Sequence, residues 1–132
     1  MTREMMFPWL LFLFLIGRCS ADVGTATFYN PPYVPTKCYG NGTLQFPADN
    51  LFAAASDSIW DNGAACAREY SVRCLSAAAS SADPCVANSV IQVRIVDFRT
   101  TGAATMFLSS DAFQAIAHPN VTATINFEFK QV

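Results

Sequence analysis

The chain has 132 residues, a formal charge of −2 and 52% apolar residues, which is enough for one modest domain. From Asp22 onward it carries six Lys/Arg against nine Asp/Glu, a charge of −3. That balance excludes a nucleic-acid binder, which needs a basic face to displace phosphate counterions, and excludes tight attachment to anionic lipid.

The first 21 residues form a separate unit. Arg3 gives a basic start, Phe7–Ile16 (FPWLLFLFLI) is apolar, and Gly17-Arg18-Cys19-Ser20-Ala21 ends in small residues. This order predicts a secretory signal peptide over 1–21, and an apolar run of ten residues falls well short of the roughly 20 needed to span a bilayer. The predicted product is secreted, with no membrane insertion and a single domain over 22–132. Four cysteines remain in it: Cys38, Cys66, Cys74 and Cys85. An even count in a small secreted domain predicts two disulfides, and four cysteines allow three connectivities. There is no C-x-x-C pair and one histidine, so neither a metal site nor another cofactor is expected. Asn41-Gly42-Thr43 and Asn120-Val121-Thr122 are glycosylation sequons, which predicts surface positions for Asn41 and Asn120.

In chain order, residues 24–29 (GTATFY) are β-prone and stop at Asn30-Pro31-Pro32, a strong breaker. Residues 30–43 read as a long ordered loop tethered by Cys38. Residues 53–63 (AAASDSIWDNG) read as a short helical turn, with Ser56 as cap and Asn62-Gly63 as stop. Residues 67–74 alternate, with Arg68, Tyr70, Val72 and Cys74 on one face. Residues 75–88 are Ser/Ala-rich with Pro84 and read as a loop. Val90–Asp97 (VIQVRIVD) reads as a strand with Ile91, Val93 and Ile95 on one face. Ser109 or Ser110 can cap a helix with Asp111 in its first turn and Phe113, Ile116 and Ala117 at helical spacing, closed by Pro119. Ala123–Gln131 reads as a strand with Ile125, Phe127 and Phe129 on one side. A one-residue slip would expose all three, so its register is well determined. The expected class is an all-β barrel with minor helix: about six short strands, one or two short helices and two bridges.

Several segments together resemble the plant natriuretic peptides. They are Gly24-Thr25-Ala26-Thr27-Phe28-Tyr29 with Pro31-Pro32-Tyr33, Cys38-Tyr39-Gly40, Ala54-Ala55-Ser56-Asp57 through Trp60-Asp61-Asn62-Gly63-Ala64-Ala65-Cys66, Val96-Asp97, and Leu108-Ser109 with Ala112-Phe113 and Ile116-Ala117. No one of these is specific, but their order and joint spacing cover almost all of 22–132. That group is related to the first domain of expansins, to family 45 endoglucanases and to barwin-like proteins. The resemblance implies a six-stranded double-psi β-barrel of the expansin-like EG45 kind, with Cys38 paired to Cys66 and Cys74 to Cys85. Relatives usually carry two further cysteines after the Val-Asp strand. Here the positions read Phe98-Arg99-Thr100-Thr101-Gly102, without that bridge.

The resemblance also bears on chemistry. Family 45 endoglucanases cleave glucan with two carboxylates, one donating a proton to the leaving oxygen and one activating water. Residues 30–37 contain no acid where expansins place one, and the second acidic position is Phe107. Asp97 remains, and no enzyme activity is expected. Thr27 and Tyr29 match the family's groove residues, and Tyr33 and Trp60 are candidate aromatic anchors. The resemblance implies a secreted apoplastic monomer acting on water and ion balance through a plasma-membrane receptor. The alternatives are an expansin-like binder or loosener of wall polysaccharide, or a barwin-like defence protein.

Overall fold

The structure, a computed structural model, describes residues 21–132. The signal-peptide expectation falls almost entirely outside the described residues. Six strands form one closed barrel: β1 (Asp22–Tyr29), β2 (Phe52–Ala55), β3 (Glu69–Ala77), β4 (Ile91–Phe98), β5 (Met106–Ser109) and β6 (Ile125–Gln131). Their order round the barrel is β1-β5-β2-β4-β3-β6. The pairs β1/β5 and β2/β4 are parallel and the rest antiparallel. Closure leaves no strand edge free for another chain to extend. Two short helices, α1 (Asp57–Trp60) and α2 (Ser110–Ile116), follow β2 and β5.

The period-two pattern of β6 produces the main core. Ile125, Phe127 and Phe129 face inward, beside Tyr70 and Val72 of β3, Val93 and Ile95 of β4, and Met106 and Leu108 of β5. Phe113 and Ile116 of α2 close one end of this core, and Phe28 packs on Phe113 at 4.9 Å between ring centroids. Ser109 caps α2: its Oγ accepts from the Ala112 N–H at 3.1 Å. Cys38 is bonded to Cys66 and Cys74 to Cys85, the connectivity that the resemblance implies.

Five local expectations change. Ala53–Ala55 belong to strand β2 instead of a helical turn, and all of β2 is buried. Alanine favours helix in isolation, but a strand enclosed on both sides needs small side chains, and packing overrides propensity. Ser56 precedes α1, yet its hydroxyl bonds the Ser58 hydroxyl at 2.8 Å and makes no cap bond. The strand begun at Glu69 runs on to Ala77, because β6 continues to pair with it past an irregularity between Cys74 and Ser76. Arg68 lies before that strand and pairs with Asp61 at 2.7 Å. The sequence reading had no strand at 106–109; a four-residue, fully buried strand carries no alternation to read.

Phe127 is completely buried, whereas Val23 at the start of β1 is 67% exposed. Phe127→Ala should therefore cost about 3–5 kcal/mol of unfolding free energy. Val23→Ala should stay within about 0.5 kcal/mol. Chemical denaturation of the two variants checks the contrast; equal losses would contradict this core.

Candidate functional site

A second apolar cluster lies on the outside of the barrel, made of Tyr29, Phe52, Ala54, Val96 and Phe107, with Tyr33, Phe46 and Ala104 packed against it. It sits across four neighbouring strands. Thr27 of β1 pairs with Phe107 of β5, Phe107 with Ala54 of β2, and Ala54 with Asp97 of β4. Thr27, Phe107, Ala54 and Asp97 thus form one register row.

The row exists because β4 is bulged. Ala53 pairs with Ile95, but Ala54 pairs with Asp97, so Val96 is an extra residue on β4. Strict alternation from Ile95 would send Asp97 inward. The bulge instead sets it opposite the outward-facing Ala54, the re-aiming that bulges produce. Asp97 is 9% exposed, and its Oδ1 accepts from the backbone N–H of Lys37 at 2.8 Å and of Phe98 at 2.8 Å. The first bond fastens the 30–46 loop to the barrel. The Cys38 N–H adds to it by donating to the Val96 carbonyl at 3.2 Å, and the Cys38–Cys66 bridge completes the attachment. Inside the loop, the Thr36 hydroxyl donates to Gln45 Oε1 at 2.6 Å, and Gln45 Nε2 donates to the carbonyls of Gly40 and Gly42.

Tyr29 is 7% exposed. Tyr33 meets its ring edge-on at 5.0 Å, and the Arg99 guanidinium lies over it at 4.9 Å. Its hydroxyl is buried without a protein partner among the described residues. Burial, and then the negative charge of Asp97, push the Tyr29 phenol well above its ordinary value of 10.0. Phe107, 5% exposed, forms part of the floor, with the Arg99 guanidinium 5.7 Å from its ring centre.

The sequence candidates divide as follows. Tyr29, Tyr33 and Asp97 come together, with Thr27 in the same register row. Tyr33 is half-buried; its hydroxyl donates to the Tyr29 carbonyl at 3.2 Å and accepts from the Ser110 N–H at 3.1 Å. The Thr27 hydroxyl donates to the Ala123 carbonyl at 2.7 Å. Trp60 stands apart and stacks on Phe98 at 4.7 Å. Asn41 and Asn120 are both exposed. Sequence reasoning missed Arg99, Phe46 and Phe52. The signal for Arg99 was available: it is a basic residue two positions after Asp97, in a segment noted only for lacking cysteine. His118 is exposed, and its backbone N–H donates to the Pro84 carbonyl.

The closed mixed barrel, with its crossing parallel pairs, is a double-psi β-barrel. Residues 52–127 match the lytic transglycolase family model of that barrel. The chain is 38% identical over 133 residues to an EG45-like domain containing protein of Citrus jambhiri, covering 98% of this chain and 96% of that one. It is 36% identical over 99 residues to EG45-like domain containing protein 2 of Arabidopsis thaliana, covering 74% and 72%. The chain belongs to the EG45-like domain family. Among solved structures, its fold is similar to a mutant Clavibacter michiganensis expansin in complex with cellohexaose, with a TM-score of 0.65 and 21% identity. That alignment covers 86% of this chain and 50% of the expansin, so the chain spans about half the expansin's length. It is also similar to the Streptomyces papain inhibitor, with a TM-score of 0.56 and 17% identity over 83% of this chain and 94% of that one.

Two predictions follow from this geometry. Asp97→Ala removes the acceptor of two amides and should cost on the order of 1–3 kcal/mol, whereas Asp97→Asn keeps an acceptor oxygen and should cost less. Urea unfolding of both variants measures the difference. Tyr29 keeps its proton in the folded state above the pH at which an unfolded phenol loses it. Its contribution to stability is therefore complete below the ordinary value of 10.0 and is lost as pH rises above it. An ultraviolet titration should show the same phenolate signal in wild type and Tyr29→Phe until alkaline unfolding begins. A phenolate attributable to Tyr29 in the folded protein would contradict its burial.

Proposed function

We propose that this protein is a secreted, non-catalytic polysaccharide-binding barrel that holds a sugar chain on the face across β1, β5, β2 and β4. The observation that carries this reading is the register row itself. Two places along the row from Asp97, beyond Ala54, stands an aromatic floor residue, Phe107, and not a second acid. Acid–base glycoside cleavage needs a proton donor and a base on opposite sides of the bond. Asp97 Oδ1 is committed to two backbone N–H groups, which suits an anchor for the 30–46 loop better than a proton donor. Half-buried Tyr33 and Phe46, packed over buried Phe52 and near Asp97 and Arg99, combine apolar surface with a few polar groups, as binding sites require. The cellohexaose bound to the similarly folded expansin supports the same ligand class. The lytic transglycolase name of the matching family model is accommodated as shared architecture, since fold does not carry function. Under this reading the wall of a plant cell is the setting, and Asn41 and Asn120 carry glycan.

The natriuretic, receptor-binding reading rests on a different surface. Leu44 is 96% exposed and Tyr39 is 42% exposed, and an exposed aromatic and an exposed leucine on the one 30–46 loop suit a protein partner.

The expected outcome is depletion of the secreted protein from solution by insoluble wall polysaccharide, with no new reducing ends. Sugar release that disappears in Asp97→Asn would replace this reading with an enzyme. Swelling of wall-free protoplasts, without polysaccharide retention, would favour the receptor.

A further inference from the structure

The arginines of the described residues differ in what they meet. Arg68 pairs with Asp61 and Arg73 with Glu128, and Arg94 Nη1 donates to the Gln45 carbonyl at 3.4 Å. Among the described residues, the Arg99 guanidinium has neither an ion pair nor a hydrogen bond. Its Nε is buried without a partner, and its flat face lies over the rings of Tyr29 and Phe107. The aromatic faces attract the cation but accept no hydrogen bond along its edge. A guanidinium held this way keeps its outward N–H groups as a fork, and a fork in a partly desolvated setting matches a planar carboxylate.

Arg99 also lines an open cavity of about 200 Å³, with Ser56, Ser58 and Thr100 and the small residues 102–104 along its walls. That is small against the ~300–1,000 Å³ of pockets for drug-sized ligands, and suits one ring of a longer chain lying across the surface. The backbone holds Arg99 here, since its N–H donates to the Ala55 carbonyl at 3.0 Å. Two carboxylates stand nearby. Asp97, whose charge reaches Tyr29, has its Oδ1 bonded to two backbone N–H groups. Asp57 is exposed on the cavity wall and opposes an incoming anion. The overall charge from Asp22 onward is negative, so a diffuse attraction to polyanions is absent and recognition has to be local.

We infer that Arg99, stacked on Tyr29 and Phe107 at the edge of the cavity, is a receptor for the carboxylate of an acidic sugar, so that the barrel selects uronate-bearing polysaccharide over neutral glucan. The inference rests on the polysaccharide reading and names its substrate class. Phe107 is part of the device: an acid in its place would pair with Arg99 and occupy the fork. Asp57, which also lines the cavity, sets an upper limit on affinity.

The test uses protein recovered from expression of the full chain and three immobilised probes: polygalacturonate, the same polymer fully methyl-esterified, and cellulose. The ester keeps the backbone and removes the charge. Polygalacturonate should retain the protein about tenfold or more better than its ester, as a charge-assisted hydrogen-bonded pair implies. Arg99→Gln should bring retention down to the ester's level, and Arg99→Lys, which keeps the charge without the fork, should lose most of the preference. Asp57→Asn, on an exposed side chain, should raise retention on polygalacturonate several-fold and leave the ester unchanged. This last variant carries the test even where Arg99→Gln weakens folding. Equal retention on acid and ester, or an Asp57→Asn protein no better than wild type, would overturn the inference. Retention on cellulose alone would overturn it while leaving the polysaccharide reading intact. Retention on none of the three would overturn both.

Discussion

The extra residue in β4 is the constraint on which the outer face depends. Because Val96 is inserted between the positions that pair with Ala53 and Ala54, the strand changes which side it presents. Before the bulge, Val93 and Ile95 supply the main core; after it, Val96 joins the outer cluster and Asp97 reaches Lys37. Under strict alternation, with Val96 present and no bulge, the carboxylate would point into the main core, where an unpaired charge is expensive. Two structures are therefore coupled at one point: the closure of the barrel and the seating of the 30–46 loop. The Cys38–Cys66 bridge and the Cys38 N–H act on the same junction, so covalent and hydrogen-bonded restraints converge there.

The same junction explains why the outer face suits binding. Pairing of β1 with β5, of β5 with β2 and of β2 with β4 sets four strands side by side. Their outward residues are Tyr29, Phe107, Phe52 and Val96, roofed at one edge by Tyr33 and Phe46 of the loop. This apolar patch is largely covered, which is why Tyr29 offers no free ring to a ligand although it matches a groove residue of the family. What remains open is the polar margin: Arg99 with Ser56, Ser58 and Thr100 around the cavity. The aromatic floor and the charged margin are one system, since Tyr29 and Phe107 of the floor lie beneath the guanidinium. A substitution in the floor should therefore be felt at the margin as well.

Much of this was legible in the chain. Alternation at Ile125, Phe127 and Phe129, and at Ile91, Val93 and Ile95, identified two barrel strands because one side of each packs into the core and period two follows. The count of cysteines announced two bridges. Their connectivity came from the family resemblance, as did the expected barrel topology. Ser109 or Ser110 was expected as a helix cap because a hydroxyl before an apolar, helically spaced run suits that role, and Ser109 is the one that accepts the Ala112 N–H. Each of these signals is confined to a few neighbouring residues, and neighbouring residues determine them.

The remaining features join residues far apart in the chain, and only the tertiary structure decided them. Ala53–Ala55 became a strand because two neighbouring strands required small side chains between them, against their own helical preference. Met106–Ser109 became a strand because β1 and β2 paired with both its edges. Asp97 faced outward because of an insertion that alternation cannot register. Arg99 became a candidate ligand contact because Tyr29, 70 residues earlier, and Phe107 both lie beneath it. The sequence alone determined which residues must be buried, how many covalent bridges the chain can form and where its second helix begins. Which way the buried strands turn their polar residues, and which arginine they leave without a partner among the described residues, depended on closing six strands into one ring. Closure sets register between segments that no local pattern connects.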